Sequence, residues 1–284
     1  MAAGGGGAMT ALASAGDLPS VGLVPGWLTT ADHWWGPHGL LYSLREHVAY
    51  TVVAVLVALV IALPIGLAIG HTGRGVAVVA GLANAVRAVP ALGLLLLLSV
   101  LLSSKIHYTH AIGWLVPRGG LPYLVPVELV LVVLAIPPIL TNTYAGVQNV
   151  DPSVRDAASG MGMTGMQVLR KVELPIALPL ILSGVRSATL QVIANATIAA
   201  FVPFLGGLGY IIFTGLPQIN DHEVGYPAML GAAIVVAMLA VVADFLLLGL
   251  QLLVVSRGVS GRYRTTSALA SVGAAGRMEV ATAN

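Results

Sequence analysis

The chain has 284 residues, 57% of them hydrophobic and only 8% charged, where a soluble domain carries about 25% charged residues. That composition and a mean hydropathy of +0.94 exclude one oversized soluble core and make lipid the solvent, while a net charge of +2 gives no case for nucleic acid. The absence of cysteine excludes disulfides, thiol catalysis and Cys-ligated metal.

In chain order, residues 1–44 read as a flexible extracytoplasmic segment. Its start, MAAGGGGAMTALASAGD, lacks the basic residues and apolar run of a signal peptide, and its Gly/Ala/Ser content predicts disorder. ADHWWGPHG at 31–39 is expected at the outer interface, where Trp is favoured, as a plain anchor or a short amphipathic helix. The membrane domain is 45–257, with apolar runs at about 48–70, 76–102, 125–148, 176–201 and 228–255. Each run, at about 1.5 Å per residue, crosses a hydrocarbon core of about 30 Å. Backbone groups in lipid have no water to bond, so the fold class is all-α and polytopic, and the runs are too long for the alternating strands of a barrel. Residues 258–284 read as a disordered cytoplasmic tail, too short for a fused binding domain.

Polar residues inside these spans are costly and therefore informative. Gly66 and Gly70 form a G-x-x-x-G on the first span, read as a helix-packing surface. In the second span Asn84 is a pathway candidate, and Arg87 precedes Pro90. Proline removes a donor and disfavours a helical residue before it. Two readings fit: a broken helix facing a pathway, or a kinked helix whose arginine snorkels to the cytoplasm. Pro137 and Pro138 predict a similar local break in the third span, beside the pathway candidates Asn142 and Tyr144. Asn195 and Thr197 in the fourth span either line a pathway or bond across helices. Arg186 and Asp244 lie at matched depths of about 15 and 16 Å on the fourth and fifth spans, counted from their cytoplasmic ends. They predict a structural ion pair.

Between the third and fourth spans, residues 149–175 form a polar loop with a definite spacing. Asp156, Ala157 and Ala158 are followed by Gly162, then Val172, Leu174 and Pro175. Small residues let a short helix lie in a partner's cleft, glycine permits a sharp turn, and Leu-Pro starts the next helix. With the N-terminus outside, Arg74, Arg155, Arg170, Lys171, Arg257, Arg262, Arg264 and Arg277 fall inside, against Arg45, Lys105 and Arg118 outside. This eight-to-three split places the loop in the cytoplasm by the positive-inside rule. No catalytic constellation appears. His222-Glu223 has Tyr226 where a zinc protease needs its second histidine. Ser99, Ser183 and Ser187 have no histidine placed to activate them. No Gly-Lys-Ser/Thr run exists to cradle ATP, and GGLG at 206–209 is too short for a dinucleotide fingerprint.

The 156–175 spacing closely resembles the coupling loop of ABC-importer permeases, whose pattern is EAA, three residues, Gly, nine residues, then I-x-L-P. Here Asp replaces Glu and Val replaces Ile. PPILTNTYAGV, GMGMTGMQVLRKVELPIALPLILSGVRSA, AAFVPFLGGLGYIIFTGL and ADFLLLG look like the osmoprotectant branch of that superfamily, a likeness covering roughly residues 45–257. Pro203-Phe204 is a departure from the branch's more glycine-rich run. The resemblance implies a five-helix type I importer permease fold with cytoplasmic coupling helices, in the inner or plasma membrane of a prokaryote. It implies partners: ABC ATPase subunits, an extracytoplasmic binding protein, and a second permease copy or a paralogue. No cofactor is expected on this chain, since ATP and Mg belong to the partner ATPase. The substrates implied are glycine betaine, choline, carnitine or proline betaine. A permease for amino acids such as methionine is the alternative, and a secondary transporter, which wants paired inverted repeats, is a third reading. Aromatic residues are 6% of the chain, with Tyr50, Tyr144, Phe201 and Phe245 scattered over the spans. A quaternary ammonium needs aromatic faces, so a low-affinity passage rather than a cage is expected.

Overall fold

The computed structural model describes residues 22–36, 39–103, 106, 121–202, 205–219 and 225–255. The N-terminal stretch 1–21, Lys105, Arg118, Pro203-Phe204, His222-Glu223 and the tail from 256 onward lie outside the described residues. In order the chain forms α1 (Leu23–Thr29), a 3-10 turn (Ala31–His33), α2 (Leu40–Thr72), α3 (Val76–Ala88), α4 (Ala91–Ser103) and α5 (Leu121–Gln148). Then come α6 (Pro152–Gly160), α7 (Gly165–Val168), a π-helical turn (Leu169–Glu173), α8 (Leu174–Ala199), α9 (Leu208–Gly215) and α10 (Gly225–Val254). Among the described residues there is no strand.

Among the described residues four helical stretches are long and apolar enough to cross a bilayer: Leu40–Thr72, Leu121–Gln148, Gly165–Ala199 and Gly225–Val254. α5 is the centre of the bundle. In its most apolar stretch 67% of residues are buried, against 0% for α10, so α10 presents its sides to whatever surrounds the chain. α2 and α8 pack on α5. The α2 side of that seam is a row of small residues spaced by four, Ala54, Ala58, Ala62, Gly66 and Gly70, all buried. Such a row lets two backbones approach closely. A methyl at Gly66 would lie 2.7 Å from Thr143 Cβ, and one at Gly70 would lie 2.6 Å from Val147 Cβ. The G-x-x-x-G is the last step of this longer seam.

The second span breaks at Pro90, as one of its two readings had it, and two other expectations about the spans change. The run 76–102 is not one straight helix: α3 and α4 meet at 86°. Val89 is extended there, with φ −74° and ψ 128°, as the residue before proline prefers. Each half has 13 residues and at about 20 Å is too short to cross alone. The third span does not break, because α5 continues through Pro126, Pro137 and Pro138. Enclosure between α2 and α8 holds it helical where proline alone would not. The fourth span has no fresh start at Leu174-Pro175. The helix already runs from Gly165, and the π-helical turn precedes Pro175. A wider turn there relieves the clash between the proline ring and the carbonyl four residues earlier.

At the opposite end from the 149–175 loop, the Trp-rich segment is a short helix and a 3-10 turn. The Trp27 and His33 rings stack at 4.5 Å, His33 Nδ1 is 2.8 Å from the Trp27 carbonyl, and Trp34 Nε1 donates to the Leu28 carbonyl at 2.6 Å. The Trp27 ring lies against Gly231 of α10. We expect a cysteine at Thr29 and one at Ser153 to react with an impermeant thiol reagent from opposite faces of the membrane. Reaction of both from one face would overturn the orientation read from the basic residues.

Candidate functional site: the coupling loop

α6 begins at a proline, whose missing N–H costs nothing in the first turn. Its cap is Asp151, whose carboxylate accepts from the Ser153 N–H at 2.9 Å and the Ser153 hydroxyl at 2.8 Å. A carboxylate at this end also complements the helix dipole. Asp156 therefore does not cap the helix. It sits inside α6 and is exposed, as is Ala157, while Ala158 faces inward and is only 2% exposed. α6 ends at a tight turn in which Gly162 adopts φ +84°, a left-handed conformation that other residues adopt only with strain. α7 then opens on a capping box: Thr164 and Gln167 satisfy each other's backbone N–H groups.

The seven pattern positions divide by direction. Asp156, Ala157, Gly162 and Pro175 are exposed, whereas Ala158 is buried and Val172 and Leu174 are half-buried. The inward set ties the loop to the bundle, and the outward set is free to meet a partner. Beside it stand Met161 and Met166, 73% and 55% exposed. Two large, adaptable apolar side chains on a polar loop suit a protein contact. The pattern says nothing about either methionine.

Glu173, which belongs to no pattern in the sequence, is 1% exposed. Its Oε2 is 2.7 Å from Nδ1 of His71, in the last turn of α2. Its Oε1 forms an ion pair at 3.0 Å with Nε of Arg155 on α6, a contact without hydrogen-bond alignment. Arg155 also donates through Nη2 to the Val147 carbonyl at the end of α5. One buried carboxylate thus joins α2, α6 and the base of α8, with α5 held through Arg155. Buried charges persist only when paired in this way.

Deeper in the bundle the Arg186 guanidinium donates to both carboxylate oxygens of Asp244, joining α8 to α10. The bidentate fork is the geometry guanidinium and carboxylate favour. Both side chains remain partly exposed, at 34% and 26%. We expect Arg186→Gln and Asp244→Asn each to lower the yield of membrane-inserted protein severalfold, and the double substitution to recover part of it. Strictly additive losses would argue against a pair that acts as a unit.

The five pathway candidates do not converge. Asn84 and Pro90 are exposed on the α3–α4 side. Asn142 donates its amide to the Pro138 carbonyl at 2.8 Å, and Asn195 to the Gln191 carbonyl at 2.9 Å, each within its own helix. Asn142 also packs on Gly184 of α8. Tyr144 is half-buried. None of the five lines the groove of about 450 Å³ between α2, α8 and α10, whose walls are aliphatic apart from Thr51 and Thr189. The aromatic residues singled out on the spans are dispersed as well. Tyr50 is in the core, Phe245 is 66% exposed on α10, and Phe201 pairs with Phe213 at 3.8 Å.

Residues 58–254 match the family model of the binding-protein-dependent transport system inner membrane component. The chain belongs to this family. It is thus an ABC-importer permease subunit and a multi-pass membrane protein. This permease is 33% identical over 222 residues to the glycine betaine/carnitine/choline transport system permease protein OpuCB of Bacillus subtilis, covering 78% of this chain and 91% of that one. It is also 33% identical over 208 residues to the choline transport system permease protein OpuBB of the same organism, covering 73% and 85%. Among solved structures it resembles the inward-facing MetNI methionine ABC transporter, with a TM-score of 0.60 and 22% identity over 76% of this chain and 96% of that one. That likeness establishes the type I importer permease fold.

Proposed function

We propose that this permease forms the membrane passage of an ATP-driven importer for osmoprotectants: glycine betaine, choline, carnitine or proline betaine. The observation that carries this reading is the one-third identity to osmoprotectant permeases over most of both chains. The likeness to a methionine transporter, at 22% identity, carries the fold and not the substrate. An ATPase subunit receives the exposed face of the coupling loop, formed by Asp156, Ala157, Met161, Gly162 and Met166. ATP and Mg bind on that subunit, and this chain performs no hydrolysis of its own. An extracytoplasmic binding protein delivers the substrate to the other side, and a second copy or a paralogue completes the passage. Because the aromatic side chains of the spans are dispersed, selection of the quaternary ammonium, which needs aromatic faces, falls to the binding protein. The permease offers a passage of low affinity.

Uptake of radiolabelled glycine betaine and choline at high osmolarity, with and without this gene, tests the assignment. We expect uptake of at least one to fall when the gene is removed. Unchanged uptake of both, with loss of methionine uptake, would move the permease to the amino-acid class.

A further inference from the structure

α2 is held by buried side chains at both ends, and the two anchors serve different parts of the machine. At the coupling-loop end His71 contacts Glu173 at 2.7 Å. There is so little room there that a methyl at Gly165, the first residue of α7, would sit 3.3 Å from His71 Nε2. Twenty-five residues earlier, or about 37 Å along the helix, Glu46 and His47 are buried at the other end. Glu46 Oε2 accepts the N–H of Gly207 at 2.8 Å, and His47 Nε2 lies 3.0 Å from the Ile193 carbonyl of α8.

The GGLG run at 206–209, too short for a nucleotide motif, is explained by this contact. A methyl at Gly206 would lie 1.9 Å from Glu46 Oε2, so it would push the carboxylate off the Gly207 N–H. Gly207 has φ +86°, and a Cβ there would face His47 Nδ1 at 3.5 Å and Tyr50 Cε2 at 3.6 Å. Gly209 leaves no room either, since its Cβ would meet the Thr197 carbonyl at 2.2 Å. The three glycines let stretch 205–209 close down on α2 and α8 as α9 begins. Between the two anchors, the α2 face toward α5 carries a row of small residues, Ala54, Ala58, Ala62, Gly66 and Gly70, that brings the two helices close. Thr143 and Val147 of α5 seat against Gly66 and Gly70, so α2 is held along this seam as well as at its two ends, as a helix that moves in one piece must be.

We propose that α2 is a connecting rod, pinned by Glu173–His71 at the coupling loop and by Glu46–Gly207 at the opposite face, that transmits movement of the loop to stretch 205–209. Glu46 is then a positioning residue for transport. It lies about 37 Å along α2 from the coupling-loop anchor, and its removal separates hydrolysis from translocation. The proposal rests on the importer reading above and is independent of which substrate is carried.

The test uses the whole transporter, with its ATPase and binding protein, in proteoliposomes. Two quantities are read: choline or glycine betaine moved per ATP hydrolysed, and the response to ATP–vanadate trapping of a nitroxide at Thr214, which is exposed on α9. Glu46→Ala should assemble and hydrolyse ATP yet move at least fivefold less substrate per ATP, with the Thr214 response lost. Glu46→Gln keeps an oxygen acceptor for Gly207 and should stay within twofold of the parent. Gly206→Ala should behave like Glu46→Ala, and should add no further loss in the Glu46→Ala background, where the clash has been removed. If Glu46→Ala fails to assemble, Gly206→Ala against Glu46→Gln makes the same comparison. An intact Thr214 response and unchanged stoichiometry in Glu46→Ala would overturn the proposal. So would a loss of hydrolysis and transport together, in proportion to assembled complex. If the parent moves neither choline nor glycine betaine, the substrate assignment fails. The Thr214 response needs no substrate and still decides the role of α2.

Discussion

Glu173→Ala is expected to abolish transport and to lower the thermal stability of the purified permease more than any other single change in the loop. The carboxylate is 1% exposed and is shared by His71 of α2 and Arg155 of α6. Removing it leaves the Arg155 guanidinium turned into the protein with only the Val147 carbonyl to bond. Breaking a buried ion pair costs about 3–5 kcal/mol. Arg155 and His71 keep 26% and 30% exposure, so water recovers part of that, and about 2–3 kcal/mol is the expected loss. Glu173→Gln retains one acceptor and should fall between the two. The check is the melting temperature in detergent beside uptake in membranes. A Glu173→Ala protein with parental melting temperature and uptake would show that the three helices are not joined there.

Gly162→Leu is expected to uncouple the importer outright, leaving hydrolysis that loaded binding protein no longer stimulates. Two effects separate at this position. The backbone is left-handed, at φ +84°, which costs a non-glycine residue about 1–2 kcal/mol. The space around it is open, with nothing within 4 Å of a built Cβ, so bulk there harms only a partner that approaches. Gly162→Ala bears the backbone strain alone and should keep most of the stimulated hydrolysis. Gly162→Asn, which tolerates the left-handed region, should do better still. Gly162→Leu adds a branched side chain to the exposed face and should lose stimulation while inserting normally. Equal activity in the alanine and leucine variants would assign the glycine to the turn and not to docking.

The turn of the 149–175 loop was legible because its requirement is local: a left-handed position in a polar stretch favours glycine, and Gly162 has φ +84°. Glu173 was not, because it occupies the variable position before Leu174 and its partners lie 18 and 102 residues away. Nothing about a glutamate in a polar loop announces that it is buried. Arg186 and Asp244 could be matched because helical rise is constant, so depth follows from counting; the structure has their side chains in contact. The glycines at 206, 207 and 209 carried no readable meaning without Glu46, 161 residues from Gly207, to press against them. A proline's lost donor is legible in the sequence, but whether the helix breaks there is not. Pro90 ends α3 in an 86° bend at an exposed site, whereas Pro137 and Pro138 lie in the enclosed α5 without breaking it. The difference is set by neighbouring helices, which a local pattern does not contain. The helical start at Gly165 was missed for a related reason. GMGMTGMQ is poor in helix formers, and the Thr164–Gln167 capping box with the packing of Val168, 4% exposed, supplies what propensity lacks.

The measurement that bears most directly on the whole account is ATP-dependent accumulation of radiolabelled choline and glycine betaine in proteoliposomes. These would hold this permease, its ATPase and its binding protein. The account predicts that at least one of the two accumulates, that omission of any component stops it, and that Gly162→Leu in the permease stops it while ATP is still hydrolysed. Accumulation without the ATPase, or accumulation of methionine with neither osmoprotectant carried, would contradict it.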